Sequence, residues 1–398
     1  VLPLDGAPLT ELAAHFAVTG LTLTAFRNYE RMRLDLDGRP VVLTGPNGAG
    51  KTNILEAISF LGAGRGLRSA RLIEVDRQVS GASADPSDSS IPWAVAAVLE
   101  NPMGRFEVGT GRDGQSLASR RIVRIDGKPQ SGPAALAERV PVLWLTPAQD
   151  RLFHDQPGSR RRFLDKLVAV LDPAHATRIS EYEKSMRERA RLLRDGRLNG
   201  GADASWLTAL EHTMATSGIA IAAARQLAAA DLTRAADCGI GPFPAALIAV
   251  VGETETWLDE GPALAAEERL AKALADCRQR DGEHGGAGVG PHRSDMVVEH
   301  RDRALGAAQL STGEQKTLLI SIILGAARLQ ATLRGFAPII LLDEVAAHLD
   351  DTYRQALYQE IAALGAQAWM TGVDADLFSG LGDAAQFFKV DDGALKAP

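Results

Sequence analysis

With 398 residues, 45% of them apolar and 23% charged, the chain has material for about two to three ordinary domains, which excludes a disordered or fibrous class. A net charge of −7 excludes a uniformly basic nucleic-acid binder but leaves room for a local basic face. Cys238 and Cys277 are the whole cysteine complement and lack C-x-x-C spacing, which argues against a disulfide scaffold or zinc site and fits a reducing cytosol.

No run of about 18 uncharged apolar residues is present, so no membrane span or membrane partner is expected. Residues 1–20 lack a basic start followed by an apolar block, and are expected to be a short extension without a signal peptide. Leu21–Phe26 alternates as a strand does. After Arg27-Asn28-Tyr29-Glu30, Met32, Leu34 and Leu36 alternate with charged residues, so an antiparallel pair is expected. Arg27 and Asn28 would either touch a nucleotide or end a strand in solvent.

Val41–Thr44 then leads into Gly45–Thr52, which fits G-x-x-x-x-G-K-[ST] at every fixed position and opens a helix. Glycines let backbone N–H groups converge on a phosphate, and the helix N-terminus adds its dipole. Gly45, Asn47, Gly48, Gly50, Lys51, Thr52 and Asn53 are the expected ATP-binding residues. Lys51 would reach the β- and γ-phosphates, and the Thr52 hydroxyl would ligate Mg²⁺. The glycine-rich stretch Gly62–Ser69 follows. Its Arg65 and Arg68 would meet phosphate, of nucleotide or of DNA, or simply lie in solvent.

Gln78–Ser90 reads as a surface loop. Trp93–Leu99, Gly104–Thr110 and Ser119–Ile125 read as strands of an antiparallel sheet, the last carrying Arg120, Arg121 and Arg124 as further candidates for DNA contact. Val140–Leu145 is another apolar strand. From Arg160 the pattern turns helical to about Glu283, interrupted by Asn199-Gly200-Gly201 and by a lone strand at Ala245–Val251, with a final helix at Ala263–Arg280. Residues 151–197 carry a net +5, either a solvated face or a DNA surface. Gly282–Gly290 reads as a glycine hinge.

Leu310-Ser311-Thr312-Gly313-Glu314-Gln315-Lys316 opens a long apolar helix, expected over 315–333. Pro338–Leu342 is a buried strand ending in Asp343-Glu344. Asp343 would hold Mg²⁺, and Glu344 would polarise the attacking water as general base. Glu344 and Lys51 are the expected catalytic pair. Gln367–Thr371 is a further core strand.

Leu-Ser-x-Gly before a helix, about 30 residues ahead of Asp343, resembles the signature motif of ABC-type ATPases. In that class Ser311 and Gly313 would bind the γ-phosphate held by a second subunit. Thr312 stands where glycine is usual, and Glu314 where glutamine often is. Phe26-Arg27-Asn28, Arg124–Gly127, Arg160–Asp165, Gly290–Asp295 and Leu342–Asp351 add to the likeness. Together these stretches resemble the RecF family of bacterial recombinational-repair ATPases, akin to SMC proteins, over about 21–398. The insertion, about 120 residues, is too short for an SMC coiled coil.

The resemblance implies an α/β fold: an ABC-type ATPase lobe with mixed sheets from 21–159 and 285–398, and an inserted, mostly helical lobe at 160–284. It implies ATP and Mg²⁺ as cofactors, and a homodimer that forms with ATP on single-strand/duplex junctions or gaps. It also implies RecO and RecR as partners that together support RecA loading. Gln149 falls in the region of the family's Q-loop and would sense Mg²⁺ and the γ-phosphate. Asp350 would lie in the loop that crosses the dimer interface. Thr371 stands where many ABC ATPases have a switch histidine. An ABC transporter ATPase subunit is the alternative, opposed by Phe-Arg-Asn, Gly-Pro-His and the large insertion. A catalytically dead scaffold is opposed by the intact Asp343-Glu344 pair.

Overall fold

The computed structural model describes residues 15–77, 91–114, 120–198 and 201–396. The chain runs through β1 (Ala17–Phe26), β2 (Tyr29–Asp35), β3 (Val41–Thr44), α1 (Lys51–Ser59), β4 (Ala94–Asn101), β5 (Gly104–Arg112), β6 (Arg121–Ile125), β7 (Lys128–Pro129) and β8 (Val142–Leu145). It continues with α2 (Pro157–Leu171), α3 (Ala174–Leu198), α4 (Ala204–Asp237), β9 (Ala246–Val251), α5 (Glu253–Glu260), α6 (Ala263–Asp276), α7 (Arg278–His284), β10 (Asp295–His300) and β11 (Leu305–Gly306). It closes with α8 (Thr312–Arg334), β12 (Ile339–Leu342), α9 (Asp351–Ala363), β13 (Ala368–Gly372), β14 (Gln386–Asp391) and β15 (Ala394–Lys396).

The described residues form two compact units. One comprises the chain up to Asp150, Cys238–Pro244, and the chain from Ser311 onward; the other comprises Arg151–Asp237 and Ala245–Leu310. The first unit is α/β. Its six-stranded sheet has the order β15-β14-β3-β13-β12-β8, and β14, β3, β13, β12 and β8 run parallel. Parallel strands are covered on both faces, which explains the unbroken apolar runs at 41–43 and 339–342. The second sheet of this unit, β2-β1-β4-β5-β6-β7, is antiparallel and alternates buried with exposed residues. Phe26, Phe60 and Trp93 join the underside of that sheet to α1, with ring centroids 4.8–6.1 Å apart.

Helix α8 starts at a capping box. Ser311 accepts from Glu314 N, and Glu314 Oε2 accepts from Ser311 N at 2.9 Å. Gly335, at φ 77°, ends it. By length and composition α8 could cross a membrane, but 83% of its most apolar window is buried inside the protein. It is a core helix of the first unit.

Several expectations are corrected. Strand β1 begins at Ala17, not at residue 21, because Phe16, Ala17 and Val18 are buried and a register shift between Val18 and Gly20 interrupts the alternation. Gln367 fixes this stretch, accepting from Val18 N at 2.8 Å and donating to Val18 O at 3.0 Å. The expected loop at 78–90, the residues before His15, Ser119 and the break at 199–200 lie outside the described residues.

The second unit is mostly helical. Its strand at 246–251 is not alone, because β9 pairs with β10 through Ala246↔His300 to Val251↔Asp295. Residues 295–300 therefore share a sheet with 246–251, and the unit extends to Leu310, past the boundary expected at 284/285. The single helix expected at Ala263–Arg280 is two, divided at Cys277, and α7 reaches His284 into the stretch read as a hinge.

Arg-Arg-x-Phe-Leu-Asp and Gly-Pro-His meet inside this unit. Arg160 forms a bidentate pair with Asp295, and Arg161 donates to Ser294 O at 2.5 Å. Arg225 holds both oxygens of Asp165 and donates to Pro291 O at 2.7 Å. His175 and Asp165 share a 2.9 Å hydrogen bond, as His292 and Tyr182 do at 2.7 Å. Burial, assisted by Arg293 and Arg161, holds His292 below the usual histidine range. These motifs are internal ties.

Arg189 is the deepest of the ion pairs here, at 1% exposure between Glu211 and Asp281, both 2% exposed. Arg189→Met should leave Asp281 without its ion pair and Glu211 with only Arg278, at a cost of about 3–5 kcal/mol. Urea unfolding followed on a probe in α3 or α4 should show it; an unmoved midpoint would contradict the assignment.

Candidate nucleotide site

The loop between β3 and α1 turns on glycines. Gly50, at φ 111°, has no room for a Cβ, which would meet Asn28 Nδ2 at 2.5 Å and Tyr29 OH at 2.7 Å. Asn28 and Tyr29 lie against the loop: Asn28 donates to Ala49 O at 3.2 Å and accepts from Asn53 Nδ2 at 2.7 Å, and Tyr29 OH donates to Gly50 O at 3.1 Å. Burial raises the Tyr29 phenol far above its usual range, so it remains a donor. Of the two readings left open for Asn28, the structure supports packing on the phosphate loop.

Asn47, Gly48, Gly50, Lys51, Thr52, Asn53, Arg68 and Glu344 line one cavity. Lys51 Nζ donates to the carbonyls of Gly45 at 2.7 Å and Pro46 at 2.9 Å. Burial lowers its pKa, against the opposing pull of Glu344 and Asp343. Asp343 ends β12 beside α1, and its Oδ1 accepts from Thr52 Oγ1 at 2.9 Å and from Thr371 Oγ1 at 2.8 Å. Thr371, on β13, in turn accepts from Glu344 N at 2.9 Å. Glu344 sits at φ 54°, a conformation that costs a non-glycine residue about 1–3 kcal/mol. The Thr371 bond holds it there.

Hydroxyl and carboxylate oxygens from Thr52 and Asp343 are the donor set a hard cation takes alongside phosphate oxygens and water, so this pair fits Mg²⁺. Among the described residues no cluster of three or more His, Cys, Asp or Glu could hold a metal by itself. Gln149 lies in the turn Pro147–Gln149, and its Oε1 accepts from Thr146 N at 3.0 Å; it does not line the cavity.

Sequence reasoning missed three contributors. Glu56, one turn along α1 from Thr52 and 0% exposed, binds Arg27 through two nitrogens and Arg68 Nη1 at 2.6 Å. Arg68 also donates to Asn53 Oδ1 at 2.8 Å, so Glu56 positions it at the cavity wall. An acid at i+4 from the phosphate-loop threonine, on a helix face otherwise apolar, was the available signal. Lys316, buried on α8, lies 3.7 Å from Asp150 Oδ2 and links the signature helix to the 147–150 turn. Burial lowers its pKa despite Asp150 and Glu344. Thr371 is the third, as a hydroxyl in a position expected to be histidine.

Ser311 and Gly313 are exposed at the α8 N-terminus and do not line this cavity. Asp350 caps α9, accepting from Tyr353 N at 2.9 Å. Arg120 and Arg124 are exposed. Arg121 differs from its expectation as a direct DNA contact: it is 7% exposed and bonds to the carbonyls of Phe60, Gly62 and Gly64 and to Thr110 Oγ1.

Phosphate loop, Asp-Glu strand end and capped signature helix on this sheet define an ATPase of the ABC/SMC class. The family described as RecF/RecN/SMC N terminal domain matches residues 17–396. "DNA replication and repair protein RecF" of Caulobacter sp. is 48% identical over 391 residues, 96% of this chain and 98% of its own. The protein of the same name from Allorhizobium ampelinum is 47% identical over 383 residues, 95% of this chain and 98% of its own. A solved structure of the recombination mediator protein RecF-ATP in the RecFOR pathway covers 97% of this chain and 100% of its own at TM-score 0.78 and 19% identity, a likeness of fold. An Smc head domain from Pyrococcus furiosus covers 96% of each chain at TM-score 0.51 and 14% identity. The chain belongs to the RecF family.

Thr371→Val should remove one bond to Asp343 and the acceptor of Glu344 N–H. A hydrogen bond to a charged group contributes about 1.5–3 kcal/mol, so kcat for ATP should fall roughly 10–100-fold with KM changed far less. Steady-state ATPase assays would show this; an unchanged kcat would remove Thr371 from the site.

Proposed function

We propose that this chain is an ATP-dependent DNA-binding repair protein of the cytosol. In this reading ATP joins two copies on gapped or single-strand/duplex junction DNA, slow hydrolysis releases them, and RecO and RecR act with the dimer to support RecA loading. The placement of Ser311 and Gly313 carries the dimer reading. They are exposed at a helix N-terminus, outside the cavity lined by Lys51 of their own chain. A second copy would bring that N-terminus, with its dipole and the Ser311 hydroxyl, to the γ-phosphate. The relatives' name, DNA replication and repair protein, supports the DNA reading.

Within one chain, loop N–H groups and Lys51 bind and orient the phosphates. Thr52 and Asp343 would hold Mg²⁺, which when bound neutralises charge that develops on the phosphate oxygens. Glu344, held by Thr371, accepts the proton of the water whose oxygen bonds to the γ-phosphorus, and the bond to the ADP oxygen breaks. Asn53 and Glu56 keep Arg68 at the cavity wall.

Glu344→Gln should keep ATP binding and lower turnover about 10²–10⁴-fold, the usual cost of a lost general base. Equilibrium ATP binding and single-turnover hydrolysis measure the two halves; hydrolysis at the unaltered rate would remove Glu344 from the chemistry.

The composite site is tested by mixing. Ser311→Arg and Lys51→Ala chains should each be inactive alone. Together they form one intact site, from Lys51 of one chain and Ser311 of the other, and should regain part of the turnover. No regain on mixing would count against a site shared between copies.

A further inference from the structure

A second cavity in the first unit is lined by Gly64, Arg65, Ala70, Arg71, Leu72, Arg121 and Pro133 and shares no lining residue with the nucleotide cavity. Three of its residues are arginines. Arg121 is buried beneath it, over the Phe60 ring at 5.2 Å. Its partners are the Thr110 hydroxyl and three backbone carbonyls, and no carboxylate among the described residues forms an ion pair with it. Burial lowers its pKa to about 9, so it remains charged at neutral pH. A buried cation paired only with carbonyl dipoles lacks the compensating charge that buried ions ordinarily have.

The other two arginines are exposed and available. Arg65 forms no hydrogen bond or ion pair among the described residues, and Arg71 has only Glu74, 3.9 Å from its Nε. The cavity therefore offers two free guanidinium forks above a fixed charge, which suits a phosphate group with its several acceptor oxygens. None of the lining residues is aromatic, so there is no platform for stacking unpaired bases. That favours the backbone of duplex DNA over a single strand.

We propose that this pocket takes a backbone phosphate of duplex DNA, with Arg65 and Arg71 binding the phosphate oxygens and Arg121 supplying charge from below while it clamps the loop. The inference rests on the DNA-binding reading above and gives that reading a place. One loop then serves both cavities: Gly64 and Arg65 line this one, and Arg68 lines the nucleotide cavity.

The test has two arms. In the first, duplex affinity with ATP is measured against salt for the unmodified chain and for Arg65→Glu/Arg71→Glu. Both side chains are exposed, so the variant should fold. Affinity should fall at least tenfold, and the slope of log K against log salt should flatten by about 2, since each phosphate contact contributes about −0.9. In the second, Lys51→Ala disables the phosphate loop, and phenylglyoxal modification of Arg65 and Arg71 is mapped by mass spectrometry with inorganic phosphate or with duplex. Both ligands should protect both arginines. Protection by phosphate but not duplex would overturn the backbone as ligand, and protection by neither would overturn the pocket. If the unmodified chain binds duplex and the double reversal changes neither affinity nor slope, the pocket fails while the DNA reading stands. If the unmodified chain binds no duplex, the DNA reading fails and this assignment with it.

Discussion

One oxygen of Asp343 accepts hydrogen bonds from Thr52 and Thr371, and Thr371 accepts from the backbone N–H of Glu344. Three elements end at this short chain: the helix after β3, the end of β12 and β13. Parallel strands leave their C-terminal ends on one edge of the sheet, and ligands of open α/β sheets bind there. Registers Leu341↔Trp369 and Thr371↔Leu43 set which side chains meet at that edge. A slip of one residue would turn Asp343 and Thr371 to opposite faces and separate the metal-binding pair from the base.

Arginines support this edge from behind. Glu56 draws Arg27 and Arg68 onto the first turns of α1. Arg121 bonds to the carbonyls of Phe60, Gly62 and Gly64, where the helix ends and the basic loop begins. Helix ends leave carbonyls without partners, so a buried guanidinium there satisfies several at once. The second unit uses the same device, with Arg189 and Arg225 each joining segments far apart in sequence.

The nucleotide site was legible because its chemistry fixes residue type and spacing together. Gly45–Thr52 and Asp343-Glu344 each follow an apolar β-branched or leucine run, and both runs are adjacent strands or one strand apart in the sheet. The helical insertion was legible from periodicity at 163–171 and from the alanine-rich run that became α4. Burial of charge was not legible. Arg120, Arg121 and Arg124 look alike in sequence, yet the alternation of β6 puts Arg121 inside. The partner of the strand at 246–251 lies about 50 residues on, across α5–α7, and no local signal marks such a pairing. Arg-Arg-x-Phe-Leu-Asp and Gly-Pro-His identified the family but not their own role, which needed the contact between them to be seen.

If the γ-phosphate joins two copies through Ser311, assembly must depend on that group alone. Sedimentation velocity of the unmodified chain with a non-hydrolysable ATP analogue, with ADP and without nucleotide tests this most directly. The analogue should produce a species of twice the mass, with ADP and nucleotide-free samples remaining single chains. Equal assembly with ADP, or none with the analogue, would contradict it.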